Sequence, residues 1–437
     1  DQLADLDRDD LAALITQLLR DRPELYDWVE AALAVPTKSG KSSRKRHKKV
    51  DVEVYRRQIR NIMHSLDGMR MSEAYWHVGG LADELRGVLT TAMKFLQAGD
   101  AETALEVLLT LADEAGHGIE YIDDSDGELG GFMADLGLPL AEVILSLDLN
   151  AVAREKLRQR MEKLAAPLRD YGLEEGVAIG LQALDETTSD RPAHAARSTR
   201  SGRADAEDED ADEYDDEEDW DEVYDDDEEE TWSYDDGDTL TTAKLNVLER
   251  QGRIDDYLAL CLSAGQHVRY ALKLCELDRI PEAVTHAKKH LASAEDARQL
   301  AERLREQKHI AEALAIGERG LRLKGSKAQL GQWLGALEET QGRAKQALRA
   351  WLAALADNPS LATYKTVKRL AGSGWKRLRS TVMKLLDKSY EKMPLAEVLL
   401  FEQDWDAAIE VAERRNVGYT VSELVADAVI EHRPAWV

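Results

Sequence analysis

The sequence predicts an all-α protein, built of helical hairpins and repeated helix pairs, in two helical halves that an acidic disordered linker joins. Three observations predict it. Alanine, leucine, glutamate and arginine dominate the 437 residues, with only 3 Phe, a composition that favours helices over sheets. Apolar residues recur at three- and four-residue intervals through most segments, and none sustains the period-2 alternation of a half-buried strand. No Asn-Gly or Asp-Gly turn stands between strand-like runs.

Residues 1–35 read as a helical hairpin. Its first helix spans Leu3 to Leu19, with Leu3, Leu6, Leu11, Leu14, Ile15 and Leu18 on one stripe and Asp7, Asp9 and Asp10 near its start, where the helix dipole favours acids. Its second runs from Pro23 to about Ala34. A basic linker over 36–52 leads into a helical domain over 53–188. There the period passes through Tyr55, Ile59, Ile62, Met63 and Leu66, breaks at Gly68 and resumes from Ser72, a candidate N-cap. Further helices are expected over Ala82–Ala98, Ala101–Glu114, Glu128–Leu147, Ala151–Tyr171 and near Gly176–Leu184.

The stretch "DGMRMSEAYWHVGGL", Asp67 to Leu81, concentrates aromatic rings, His77 and glycines as an active site would. Consecutive Tyr75, Trp76 and His77 fan through about 200° on a helix, so they cannot line one pocket. Met69, Met71, Tyr75, Val78 and Leu81 instead form a buried stripe, with Gly79 and Gly80 permitting a close helix contact. A surface that grips a peptide or partner helix is the alternative.

The net charge of -28 is concentrated. The 23 acids between Asp205 and Asp238, with no Lys or Arg among them, leave only -5 on the rest of the chain. Together with the preceding Ser/Arg/Ala/Pro stretch, this defines an acidic disordered linker over 189–239, too poor in apolar groups to bury a core. Its Trp220, Tyr224, Trp232 and Tyr234 are candidate docking aromatics for a basic surface. Two basic regions are candidates for contact with nucleic acid or an acidic partner. One is "TKSGKSSRKRHKK", carrying Lys41, Arg44, Lys45, Arg46, Lys48 and Lys49. The other is a predicted helical face with Lys365, Lys368, Arg369, Lys376, Arg377 and Arg379, followed by Lys384 and Lys388. Clustered cations of this kind meet phosphates or carboxylates.

Over 240–437 five phrases recur: "RQGRIDDYLAL", "LDRIPEAV", "EQKHIAEALAI", "TQGRAKQALRA" and "EQDWDAAIEV". Aligned on Tyr257, Ala283, Ala313, Ala347 and Ala408, they are spaced by 26, 30, 34 and 61 residues. A turn, a small residue and an aliphatic one at that interval resemble a degenerate tetratricopeptide-like (TPR-like) α-solenoid, in which the small residue lets paired helices approach. "QAGDAETALEVL" in the first half has the same form.

The stretch Tyr55 to Leu111, with "DDSDGELGGF" at Asp123 to Phe132, resembles the region after the zinc finger in bacterial SWIM zinc finger proteins, and "LDRDDLAALITQLLRDRPELYDWVE" is similar to the helical segment that follows their metal motif. The resemblance covers residues 1 to about 185 and, more loosely, the repeats. The Cys-x-Cys…Cys-x-His motif itself is absent from this chain, so no zinc-binding role carries over to any residue here. Zinc is expected only if that motif lies upstream, and the opening on Asp1 reads as a fragment or processed product.

Other motifs are set aside. "YIDDSDGELGG" misses the ligand spacing of a calcium loop and reads as a helix N-cap. Cys261, His267, Cys275, His286 and His290 match no familiar closed zinc site, although His286 and His290 share a helical face. "AGSGWKR" lacks the Gly-Lys-Ser/Thr ending of a phosphate loop. No paired carboxylates in apolar surroundings and no nucleophile elbow are legible. The expectation is a non-enzymatic scaffold for protein–protein interaction, with no cofactor and no small-molecule substrate. A nucleic-acid-binding accessory factor is the alternative, and an enzyme would require coupled acids in a pocket. No run approaches the ~18–20 apolar residues of a membrane span, no secretory leader opens the chain, and two cysteines fit a reducing compartment. The expected location is cytoplasmic, with no membrane partner.

Overall fold

The computed structural model describes residues 8–21, 29, 51–67, 69, 77–119, 121–165, 173–189, 236–415 and 417–436. Among them the protein is all-α, with no strand. Two compact units divide the chain, Asp1–Ile254 and Asp255–Val437.

In the first unit, α1 (Arg8–Asp21) is the described part of the expected first helix, whose start lies outside the described residues, and it leaves Leu14, Ile15 and Leu18 exposed. The second helix of the expected hairpin lies outside the described residues apart from Val29. α2 (Val52–Met63) starts where Asp51 accepts a hydrogen bond from the Glu53 N–H (3.1 Å), and it buries Tyr55, Ile59, Ile62 and Met63 as the period predicts. α3 (Val78–Gln97) and α4 (Ala101–Ile119) pack beside it, with Tyr55 edge-on to Phe95. Val78 and Leu81 join this core, but Met69 is 43% exposed. Gly79 and Gly80 also depart from expectation: a Cβ at either would meet nothing within 4 Å. α3 packs through Leu81, Ala82 and Leu85, and its glycines fall off that face. Met71, Ser72, Tyr75 and Trp76 lie outside the described residues.

The predicted helix over 128–147 is two, α5 (Glu128–Asp135) and α6 (Gly137–Leu145). Pro139 lacks an N–H and is tolerated only in a first helical turn, so a new helix begins just before it. Asp124 supplies the expected N-terminal cap, accepting from the N–H groups of Leu129 (3.0 Å) and Gly130 (2.8 Å). α7 (Ala151–Ala165) and α8 (Leu173–Ser189) follow. Where α8 crosses the junction of α5 and α6, a Cβ on Gly176 would sit 2.7 Å from the Met133 carbonyl oxygen.

The acidic tract separates α8 from α9 (Asp236–Arg250). The second domain, read from 240, begins later, because α9 completes the first unit. Leu240 and Ala243 enter its core. Glu142, a lone acid in the apolar α6 and almost fully buried, takes both its partners from α9: Asn246 Nδ2 at 2.7 Å and the Arg250 guanidinium. A buried carboxylate is costly unless paired, and these two residues tie α9 to α6.

The second unit contains α10 (Ile254–Ser263), α11 (His267–Glu276), α12 (Ile280–His290), α13 (Ala294–Glu306), α14 (Ile310–Gly320), α15 (Ala328–Thr340), α16 (Ala344–Asp357), α17 (Leu361–Ala371), α18 (Trp375–Lys388), α19 (Met393–Phe401), α20 (Trp405–Ala412) and α21 (Tyr419–Val429). From α11 on, helices pack against a sequence neighbour and frequently the next but one. The recurring phrases share one turn. Gly252, Asp278, Lys308, Gly342 and Gln403 all have φ between 60° and 72°. In each case the following N–H reaches a carbonyl five residues back, as Arg343 N does to Glu338 O (3.0 Å), the bond that closes a helix through a left-handed residue. Five residues after each turn sits the aligned residue, Tyr257, Ala283, Ala313, Ala347 or Ala408, and all are buried. Gly99 and Ala104 repeat the arrangement in the first unit.

Candidate functional site

The basic region of the second unit is the candidate that the described residues contain. α17 is capped by Ser360, whose hydroxyl accepts from the Thr363 N–H (3.2 Å), and it buries Thr363, Tyr364 and Val367. That register turns Lys365 and Arg369 to solvent and leaves Lys368 half-buried. A short turn at Gly372–Gly374 leads into α18, which buries Val382 and Leu386 and exposes Lys376, Arg377, Lys384 and Lys388.

The structure separates these cations into two groups. Lys368 pairs with Glu402, the residue that ends α19, and Arg379 reaches the same carboxylate through Nε at 3.3 Å and Asp404 through Nη2 at 3.8 Å. Arg369 pairs with Glu339 at 2.7 Å. Burial alone would raise the Glu402 carboxyl, but hydrogen bonds, led by that from Lys368, outweigh it and hold Glu402 below the usual carboxylate range. Lys368, Arg369 and Arg379 therefore hold the fold as well as facing outward. Lys365, Lys376, Arg377, Lys384 and Lys388 make no ion pair among the described residues. Asp387 on the same helix is engaged by Arg414.

An aromatic cluster underlies this face. Tyr364 is buried and packs edge-on to Trp375 (5.3 Å) and Phe401 (6.3 Å). Lys365 Nζ lies 4.6 Å and Lys368 Nζ 5.2 Å from the centroid of the Phe401 ring, within reach of cation–π attraction. Phe401 is 43% exposed. The arrangement can hold carboxylates or other anions with an apolar group beside them.

Lys41, Arg44, Lys45, Arg46, Lys48 and Lys49 lie outside the described residues, as do Trp220, Tyr224, Trp232 and Tyr234. Of the five residues read as candidate zinc ligands, His267, His286 and His290 come together, while Cys261 and Cys275 are buried apart from them. Burial, with His290 and His267 adding, pushes the His286 imidazole down to about 4, and burial raises the Cys275 thiol to about 11.

One pair of acids was not legible in the sequence. Glu338 on α15 is fully buried, and Glu318 on α14 shares Arg343 with it, at 3.2 Å from Glu338 and 2.6 Å from Glu318. Burial and then the Glu318 carboxyl raise the Glu338 carboxyl to about 7, against the pull of Arg343. The only sequence signal was an acid on the stripe of Leu330, Leu334 and Leu337. Glu338 is closed to solvent, whereas Glu318 is partly exposed.

The fold and this face define the class: an all-α protein whose second unit presents the unpaired Lys365 over a half-exposed Phe401 ring and further unpaired cations along α18. No family model matches the chain, and no curated protein matches it either.

Proposed function

We propose that the second unit is a non-enzymatic helical-repeat scaffold, a TPR-like solenoid, that binds an acidic segment of a protein partner across α17–α19. On this reading the chain is the part of a SWIM zinc finger protein that follows the finger, supported by the resemblance over Tyr55–Leu111. The observation that carries the binding role is the pairing of unengaged cations with a half-exposed aromatic. A peptide with carboxylates and an apolar side chain satisfies both. The shared left-handed turn and the neighbour-to-neighbour packing support the solenoid.

A nucleic-acid accessory role is the second reading, favoured by the run of cations from Lys41 to Lys49. Fluorescence anisotropy on the full chain separates the two, comparing an Asp/Glu-rich peptide that carries one Trp with a DNA duplex. Binding of the peptide, weakened about tenfold or more by combined Lys376→Ala, Arg377→Ala and Lys384→Ala, is the expected result. Tighter binding of the duplex, falling by about 0.9 log units per phosphate contact for each tenfold rise in salt and lost with Lys45→Ala and Arg46→Ala, favours the second reading.

A further inference from the structure

Three imidazoles meet where α11 begins and α12 ends. His267 is the first residue of α11, and His286 and His290 stand one turn apart on α12. His286 Nε2 lies 3.2 Å from His267 Nδ1. The ring centroids are 5.2 Å apart for His267 and His286, 4.7 Å for His267 and His290, and 4.4 Å for His286 and His290. Tyr270, on the next turn of α11, closes one side with its ring 4.5 Å from His286.

We propose that His267, His286 and His290 form a binding site for a borderline divalent transition-metal ion such as zinc or nickel, held by three imidazole nitrogens with the remaining positions open to solvent. The dimensions carry the proposal. With metal–nitrogen bonds of about 2.0–2.1 Å, two imidazoles at about 90–110° place their ligating atoms about 2.9–3.4 Å apart and their centroids about 4.5–5.2 Å apart. The nitrogen separation of 3.2 Å and the centroid distances of 4.4–5.2 Å place the three rings close enough to share one ion once they turn to face it. Two histidines at i and i+4 on a helix share a face, the spacing used by helical metal pairs, and an all-imidazole set selects zinc, nickel or copper over magnesium and calcium.

In the arrangement observed the rings are stacked, and no three donor side chains among the described residues converge on one point. Binding therefore requires rings to rotate. His290 is exposed and is the last residue of α12, so its ring turns without disturbing the core. Cys261 and Cys275 stay buried and outside the ligand set.

The test is isothermal titration of nickel and of zinc into the full chain after chelator treatment, with His290→Ala, His286→Gln and His117→Ala in parallel and circular dichroism to establish that each is folded. The expected result is saturable binding whose Kd rises about tenfold or more in both His290→Ala and His286→Gln and is unchanged in His117→Ala. Either a smaller rise in the folded His290→Ala chain or no saturable binding in the parent overturns the proposal. The peptide-binding measurement is independent of this outcome.

Discussion

At the residue scale, left-handed turns decide how the repeats end. Glycine adopts positive φ freely, whereas a residue with a Cβ is strained there by about 1 kcal/mol. Lys308 (φ 70°) and Asp278 (φ 60°) carry that strain, while Gly342 (φ 72°) does not. Lys308→Gly is expected to stabilise the second unit by up to about 1 kcal/mol, and Gly342→Ala to destabilise it by a similar amount, both read by urea denaturation. The aligned alanines were legible in the phrases because each sits at a fixed offset from its turn. The turn conformation itself was not, since Asp, Lys and Gln hide what Gly would announce.

Glu338 gives a pH dependence with a definite sign. Its carboxyl titrates near 7 when folded and near 4.3 when unfolded, so between those values the folded state holds the extra proton. Stability from this group is present at low pH and is lost as pH rises from the unfolded value through about 7, by up to about 3 kcal/mol. The melting temperature of the second unit is expected to fall between pH 5 and pH 7.5, and Glu338→Gln to flatten that fall. An equal slope in the variant would assign it to other groups. Glu318 and Arg343 are 20 and 5 residues away along the chain, and sequence periodicity does not measure distance between helices.

At the scale of elements, close crossings and buried pairs do the selecting. Gly176 has the Met133 carbonyl oxygen 2.7 Å from where its Cβ would stand, whereas Gly80 has open space. Gly176→Ala should cost roughly 1–3 kcal/mol by overpacking, while Gly80→Ala should gain about 0.5–1 kcal/mol from helix propensity, comparing midpoints of thermal unfolding. The two glycines look alike in the sequence. Which one meets a neighbouring helix depends on the face α3 or α8 buries, and the adjacent glycines of α3 drew attention to the wrong crossing. Glu142, an acid within the apolar "GLPLAEVIL", requires a partner. Arg250→Ala leaves that carboxylate short of its cation and is expected to cost about 3 kcal/mol, against under about 0.5 kcal/mol for Arg86→Ala, which breaks an exposed pair with Asp83.

For the whole molecule, the all-α class was readable throughout, since amphipathic period and composition agree from α2 to α21 and no segment argued otherwise. The division of the chain was less so. A run of 23 acids is the largest compositional break in the sequence, yet both helices that flank it belong to the first unit, because packing and not composition decides where a unit ends. The surface cations were legible as a class, but which of them stay free depended on Glu339, Glu402 and Asp404 arriving from other helices. The proposed scaffold role rests on those free cations. A photo-cross-linking residue placed at Arg377 in the living cell tests this directly, with the same residue at His117 as control. The account predicts a discrete protein adduct from position 377 alone, mapped by mass spectrometry to an Asp/Glu-rich segment. Nucleic-acid adducts from 377, or the same adducts from both positions, would contradict it.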